Sequence, residues 1–102
     1  MRRFDLTRSA KADLKSIAKF TQSQWGVRQR NTYLKEMDQV FRSLAENPLM
    51  GRPCDEIREG YRKLPHGAHV IYYKQPTEDE VLIIRILHGT MDVNSNLGAY
   101  PR

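Results

Sequence analysis

The chain opens on Arg2-Arg3-Phe4-Asp5-Leu6, where polar and apolar residues alternate, and then places Thr7 just before the period changes. Alternation suits a short strand, and a threonine at such a boundary suits a helix N-cap, because its hydroxyl can accept from a backbone N–H of the first turn. Ala10, Leu14, Ile17, Ala18, Thr21 and Trp25 then recur at steps of three and four. That spacing predicts one buried helical face, stopped by Gly26. A second helical pattern follows with almost no gap: Tyr33, Leu34, Met37, Val40, Phe41, Leu44 and Ala45, up to Asn47-Pro48. Proline biases the residue before it out of helical geometry, so the helix ends there. Two helices joined this tightly form an antiparallel hairpin, with Trp25, Tyr33 and Phe41 expected in its core.

From Asn47 to Glu59 the chain is rich in Pro, Gly and charge, with only Leu49, Met50, Cys54 and Ile57 to pack, and reads as an ordered loop. Strand patterns follow at Tyr61 to Leu64, Ala68 to Lys74 and Glu80 to His88, separated by turns at Pro65-His66-Gly67 and Gln75-Pro76-Thr77-Glu78-Asp79. The last is almost wholly apolar, as in a central strand covered on both faces. The first two alternate more and can face water on one side. The order is strand, helical hairpin, then a three-stranded antiparallel meander, which predicts an α+β layer with the helices packed on one sheet face. No repeat or Gly/Ser-rich linker divides the chain, so one domain is expected over 1–102, with 97–102 as a flexible tail.

Charge adds a direction. With 17 Lys+Arg against 12 Asp+Glu the net charge is +5, which favours an acidic partner without naming it. The lone Cys54 cannot close an internal disulfide, no charged-then-apolar leader opens the chain, and no apolar run approaches the ~20 residues that span a bilayer, so a cytoplasmic location and no membrane role are expected. There is no GxGxxG, P-loop, HExxH, CxxC or GxSxG, so nucleotide, zinc and serine-hydrolase chemistry have no signature, and no cofactor is expected. His66, His69 and His88 lack metal-ligand spacing and read as surface or half-buried histidines.

The residue that stands out is Arg85, a guanidinium inside the apolar last strand. It must find a carboxylate, a phosphate or an open cleft to offset its desolvation, so it is either a buried ion pair or part of a functional cleft. Strict alternation places it with Val81, Ile83 and Leu87 and puts His88 on the opposite face unless a bulge near Gly89 turns it. Arg8, Lys11, Lys15 and Lys19 form a cationic ridge on the first helix, to be read as a solvated face or as a dock for an acidic partner. Arg52, Arg58, Arg62 and Lys63 form a second basic group, interleaved with Asp55, Glu56 and Glu59 that could pair with them. Of the adjacent Tyr72 and Tyr73, only one should join the core, leaving the other for an exposed groove.

The run Asn47-Pro48 through Gly51-Arg52-Pro53, then Asp55-Glu56-Ile57-Arg58, Gly60-Tyr61-Arg62, Pro65, Gly67, His69 and Ile71-Tyr72-Tyr73, resembles the ParE toxins of bacterial toxin-antitoxin systems. So do Arg85-Ile86-Leu87-His88 through Met91-Asp92 at the end, and Leu6-Thr7, Ala10, Asp13-Leu14 and Ile17 at the start. The resemblance spans residues 4 to 97 and rests on the order of these elements. It implies the RelE/ParE fold. It also implies a toxin that is an inhibitor and not an enzyme, acting on DNA gyrase by stabilising its cleaved DNA complex and blocking replication. A ParD-like antitoxin, with a ribbon-helix-helix part and a tail that wraps the toxin, would neutralise it; DNA would be met only through antitoxin or gyrase.

On that reading the candidate antitoxin contacts are Arg8, Lys11, Lys15, Lys19, Arg58, Tyr73 and Arg85, and the candidate target contacts are His88, Met91, Asp92 and Asn94. The rival is a ribosome-dependent mRNA interferase of the RelE type, which would need basic groups and an acid or base around a ribose 2′-hydroxyl. Arg62, Lys63, Arg85 and His88 are its candidates. Against it, Gly89-Thr90-Met91-Asp92 follows His88 where such enzymes carry a tyrosine, and the loop before the meander has no lysine cluster. A third possibility is a degenerate, non-toxic module that only binds antitoxin.

Overall fold

The computed structural model describes residues 2–91, 93 and 97. Strand β1 (Arg3–Leu6) leads into helix α1 (Arg8–Trp25) and helix α2 (Val27–Glu46), followed by β2 (Arg52–Pro53), β3 (Arg62–His66), β4 (His69–Thr77) and β5 (Glu80–His88). The strands form one sheet in the order β1-β5-β4-β3-β2, with β1 parallel to β5 and the other pairs antiparallel. The α+β class and the helical hairpin are as expected. The sheet has one strand more, because β2 adds a short rung from the segment read as loop. The turns are also tighter than expected, with Pro65 and His66 still in β3 and Gln75 to Thr77 still in β4.

Thr7 caps α1 by accepting from the Ala10 N–H at 3.0 Å. Gly26, at φ 93°, is the only residue between the helices and closes α1 by donating to the Gln22 carbonyl at 2.9 Å. A side chain there would strain a backbone in that region.

The helices cover one sheet face, where Ile17, Met37, Phe41 and Leu44 pack on Ile71, Tyr73, Val81 and Ile83. The opposite face is also covered: Tyr72, Leu82, Ile84 and Leu87 pack with Cys54 and Leu97, supported by Ile57, Tyr61 and Val93. This corrects three expectations. β4 does not face water on one side at its middle, since Ile71, Tyr72 and Tyr73 are all buried. Both tyrosines are core residues, on opposite faces, so neither is left for a groove. Leu97, expected to begin the tail, is fully buried. Burial raises the pKa of both tyrosines and of the Cys54 thiol, which keeps that thiol protonated and inert.

Trp25 departs from the reading as well. It is 72% exposed, at the C-terminal end of α1.

Candidate functional site

β1 pairs with β5 only as far as Ile83, so the rest of that β5 edge needs other partners. The start of α1 supplies them. The Thr7 hydroxyl donates to the Ile84 carbonyl at 2.7 Å, and the Ile86 N–H donates to Asp13 Oδ2 at 2.9 Å. The same carboxylate receives Arg85 Nε at 2.7 Å and Nη2 at 2.8 Å. Side-chain exposures of 17% for Arg85 and 13% for Asp13 make this a largely desolvated, bidentate ion pair. Of the two expectations for Arg85, the ion pair is what forms.

A register shift sets its neighbours. Tyr72 pairs with Arg85 while Tyr73 pairs with Ile83, so Ile84 is an extra residue in β5 and the alternation of faces resets across it. Val81 and Ile83 before the bulge, and Ile86 after it, all join the helix-side core, whereas Leu87 joins the opposite one. Arg85 therefore shares its strand face with Leu87, as expected, but not with Val81 and Ile83. The bulge precedes Arg85 and leaves the parity from Arg85 to His88 unchanged, so His88 follows Ile86 on the helix side, and Arg85 lines the same recess because its long side chain reaches Asp13 on α1.

Arg85 and His88, with Asp13, Ser16, Ile17, Phe20, His69, Ile86 and Met91, line a recess of about 410 Å³ between α1 and the sheet. Phe20, His69 and His88 also line an adjoining recess of about 210 Å³, completed by Thr21, Trp25, Gln29, Tyr33 and Ala68. The two make one groove with largely apolar walls. Phe20, Trp25 and Met91, exposed at 62%, 72% and 48%, stand along it.

Three histidines meet at the end of the sheet beside it, which their sequence spacing did not suggest. Strand register puts His66 opposite His69 and His69 opposite His88. The His69 and His88 rings are 5.7 Å apart edge to face, and Tyr33 lies 5.5 Å from His66 and 5.8 Å from His69. The Tyr33 hydroxyl sits 2.8 Å from His69 Nδ1 and donates to the His66 carbonyl at 3.2 Å. On His88, the Thr90 N–H donates to Nδ1 at 3.2 Å, fixing the neutral ring as the Nε2–H tautomer. Among the described residues, no group of three or more His, Cys, Asp or Glu is arranged to hold a metal ion.

Burial is the main cause that lowers the His69 pKa below 6.5; His88 and His66 push the same way and Asp13 opposes them. The folded protein thus resists a proton that the unfolded chain accepts, so stability is complete above about pH 6.5 and falls as pH drops below it. Thermal unfolding between pH 5.5 and 7.5 should show the midpoint falling on the acid side, with a shallower slope in His69→Gln. An equal slope in the variant would mean that other groups carry the effect.

The other candidates are dispersed. Arg8, Lys11, Lys15 and Lys19 are all exposed, as a ridge requires. Tyr73 is fully buried, its hydroxyl accepting from the Gly51 N–H and donating to the Pro48 carbonyl, both at 2.8 Å, so it cannot reach a partner. Arg58 donates to the carbonyls of Ile57 and Leu97, and Arg62 to that of Gly51 at 2.7 Å. Arg58 and Arg62 of the second basic group are thus anchored to backbone oxygens where carboxylates were expected. Arg62 lines a separate recess with Leu49, Pro53 and Asp55, so it does not join Arg85 and His88. Asp92 and Asn94 lie outside the described residues.

Fold and groove together define a small α+β module that commits an ion pair internally and presents an apolar groove lined by imidazoles. Comparison with known proteins supplies the family. The model described as the ParE toxin of type II toxin-antitoxin system, parDE, matches residues 4–93, and this chain belongs to that family. It is 43% identical over 95 residues to Toxin ParE1 of Mycobacterium tuberculosis, covering 93% of this chain and 97% of the relative. It is 39% identical over 98 residues to Toxin ParE1 of Caulobacter vibrioides, covering 96% and 100%. A solved structure of the chromosomal ParDE TA system from P. aeruginosa shares the fold, with a TM-score of 0.73 at 22% identity over 86% of this chain and 96% of that one.

Proposed function

We propose that this chain is the toxin of a ParDE-type pair which inhibits DNA gyrase by stabilising its cleaved DNA complex, and that a ParD-like ribbon-helix-helix antitoxin neutralises it in the cytoplasm. Membership of the ParE family across residues 4–93 carries this reading. The geometry supports an inhibitor over a nuclease: Arg62 and the Arg85–His88 pair line different recesses, and Arg85 is held by Asp13 where an interferase would need it turned to a phosphate. The exposed ridge of Arg8, Lys11, Lys15 and Lys19 offers cations to an acidic antitoxin segment. His88 and Met91, together on the lip of the groove, are the target-facing residues of this proposal.

Purified protein should block gyrase supercoiling and accumulate double-strand cleavage while leaving cell-free translation intact. Arrested translation with unaffected gyrase would establish the interferase instead. No effect on either, with antitoxin still bound, would establish a non-toxic binding module.

A further inference from the structure

We infer that Arg58 and Leu97 are positioning residues for the proposed target surface: they strap the chain that follows β5 onto the far face of the sheet and so fix where His88 and Met91 stand. The inference rests on the reading of His88 and Met91 as target-facing. The path of the chain is the first support. Met91 lines the recess on the helix side of the sheet, whereas Val93 and Leu97 pack with the core of the opposite face. The chain therefore crosses from one side of the sheet to the other just after Met91, and the lip of the groove lies on that bend.

The bend is tied down on both sides. Before it, the Gly89 N–H donates to the Ala68 carbonyl and the Met91 N–H to the His88 carbonyl, each at 2.9 Å. After it, Leu97 is fully buried in one cluster with Cys54, Tyr72, Leu82, Ile84 and Leu87. Its N–H donates to the Val93 carbonyl at 2.9 Å, and its carbonyl accepts from Arg58 Nη2. A guanidinium donor makes that last bond stronger than one between neutral groups.

The anchor is itself well held. In the loop that carries Arg58, the Ile57 and Arg58 N–H groups both donate to the Cys54 carbonyl, at 2.9 and 3.1 Å, and the Tyr61 N–H donates to the Arg58 carbonyl at 3.1 Å. The Cys54 N–H closes the loop on the Tyr61 carbonyl at 2.8 Å. Arg58 Nη1 donates back to the Ile57 carbonyl at 2.9 Å, so the guanidinium is fixed by its own loop while Nη2 holds Leu97. A lip fixed at both ends gives up little freedom when it meets a partner. One released at its far end must be ordered first and binds more weakly.

Cys54 supplies the reporter, since it is the only cysteine of the chain and is buried in the same cluster as Leu97. Its rate of reaction with a thiol reagent under native conditions measures how often the strap lifts. The test compares wild type, Arg58→Met, Leu97→Ser and, as an exposed control away from the strap, Leu49→Ser, each checked for native circular dichroism. Thiol labelling, inhibition of gyrase supercoiling and calorimetric affinity for a full-length ParD-like antitoxin are read for all four. Arg58→Met and Leu97→Ser are each expected to label at least about fivefold faster, with little response to low urea, because a local opening exposes little surface. Both should need at least about fivefold more protein to inhibit gyrase and keep antitoxin affinity within about twofold, and Leu49→Ser should match wild type throughout. Unchanged labelling, faster labelling that rises steeply with urea, unchanged gyrase inhibition, or an equal loss of antitoxin affinity would each overturn the positioning role and leave the proposed function standing. Wild-type protein without effect on gyrase would overturn both.

Discussion

Asp13→Ala is expected to destabilise the protein by about 3 kcal/mol, because it leaves a guanidinium that is mostly desolvated without the carboxylate that fits it. Asp13 accepts from Arg85 Nε, Arg85 Nη2 and the Ile86 N–H, so one substitution removes a bidentate ion pair and the satisfaction of a backbone group on β5. For a chain of this size that corresponds to a fall of about 12–24 °C in unfolding midpoint. Part of the loss should be recoverable. In Asp13→Leu/Arg85→Met the ion pair is replaced by apolar groups of similar volume, and the Ile86 N–H that stays unpaired costs about 1 kcal/mol. Denaturant unfolding of the two single variants and the double gives the coupling directly. A single Asp13→Ala variant within 1 kcal/mol of wild type would show that water or another group replaces the carboxylate at no cost. The same logic bears on Arg85→Ala. Its fold should be weakened by the orphaned Asp13, so a change in toxicity is attributable to the groove only if the double variant, with the fold restored, shows it too.

Which parts of this arrangement the sequence discloses follows from how far apart the cooperating residues lie. The helices, the apolar β5 and the Thr7 cap are legible because each depends on neighbours within a few positions. Trp25 shows where a local period misleads: its spacing continues the α1 pattern, but in the fold it stands 72% exposed on the wall of the recess it shares with Tyr33, Ala68 and His69. Arg85 announces a need for a partner, yet Asp13 is 72 residues away and cannot be chosen over other carboxylates without the fold. Strict alternation gives Arg85 the wrong neighbours because the extra residue at Ile84 resets the faces, and no glycine or proline marks that bulge. The histidine row is hidden for the same reason. His66, His69 and His88 become neighbours only once the register of three strands is set. Tyr72 and Tyr73 do not divide between core and surface as alternation suggests, because the covering of the second face by the Cys54 loop and Leu97 has no periodic signature.

Gly51→Ala is expected to be at least as damaging, and for lack of space, with no unusual backbone angle involved. A Cβ at that position would sit 2.6 Å from the Tyr73 hydroxyl, 2.7 Å from the Lys63 carbonyl and 2.8 Å from Tyr73 Cε1. Two of these belong to a ring packed in the core and the third is strand backbone, so none can yield by turning a flexible end. Overpacking of this kind costs about 3 kcal/mol or more. The close approach has a use: it lets the Gly51 N–H donate to Tyr73 while Tyr73 donates to Pro48 and the Gly51 carbonyl accepts from Arg62, which pins the loop after α2 to the sheet. Tyr73→Phe should therefore cost about 2–3 kcal/mol by orphaning the Gly51 N–H and the Pro48 carbonyl. The two changes should not add, since losing the hydroxyl removes the 2.6 Å clash and the introduced methyl group then displaces a loop that is already unpinned. Guanidinium unfolding of Gly51→Ala, Tyr73→Phe and the double variant reads this out. A double variant as unstable as the sum of the singles would mean that the Lys63 carbonyl and the ring carbon Cε1, and not the hydroxyl, set the limit on the size of the side chain at Gly51.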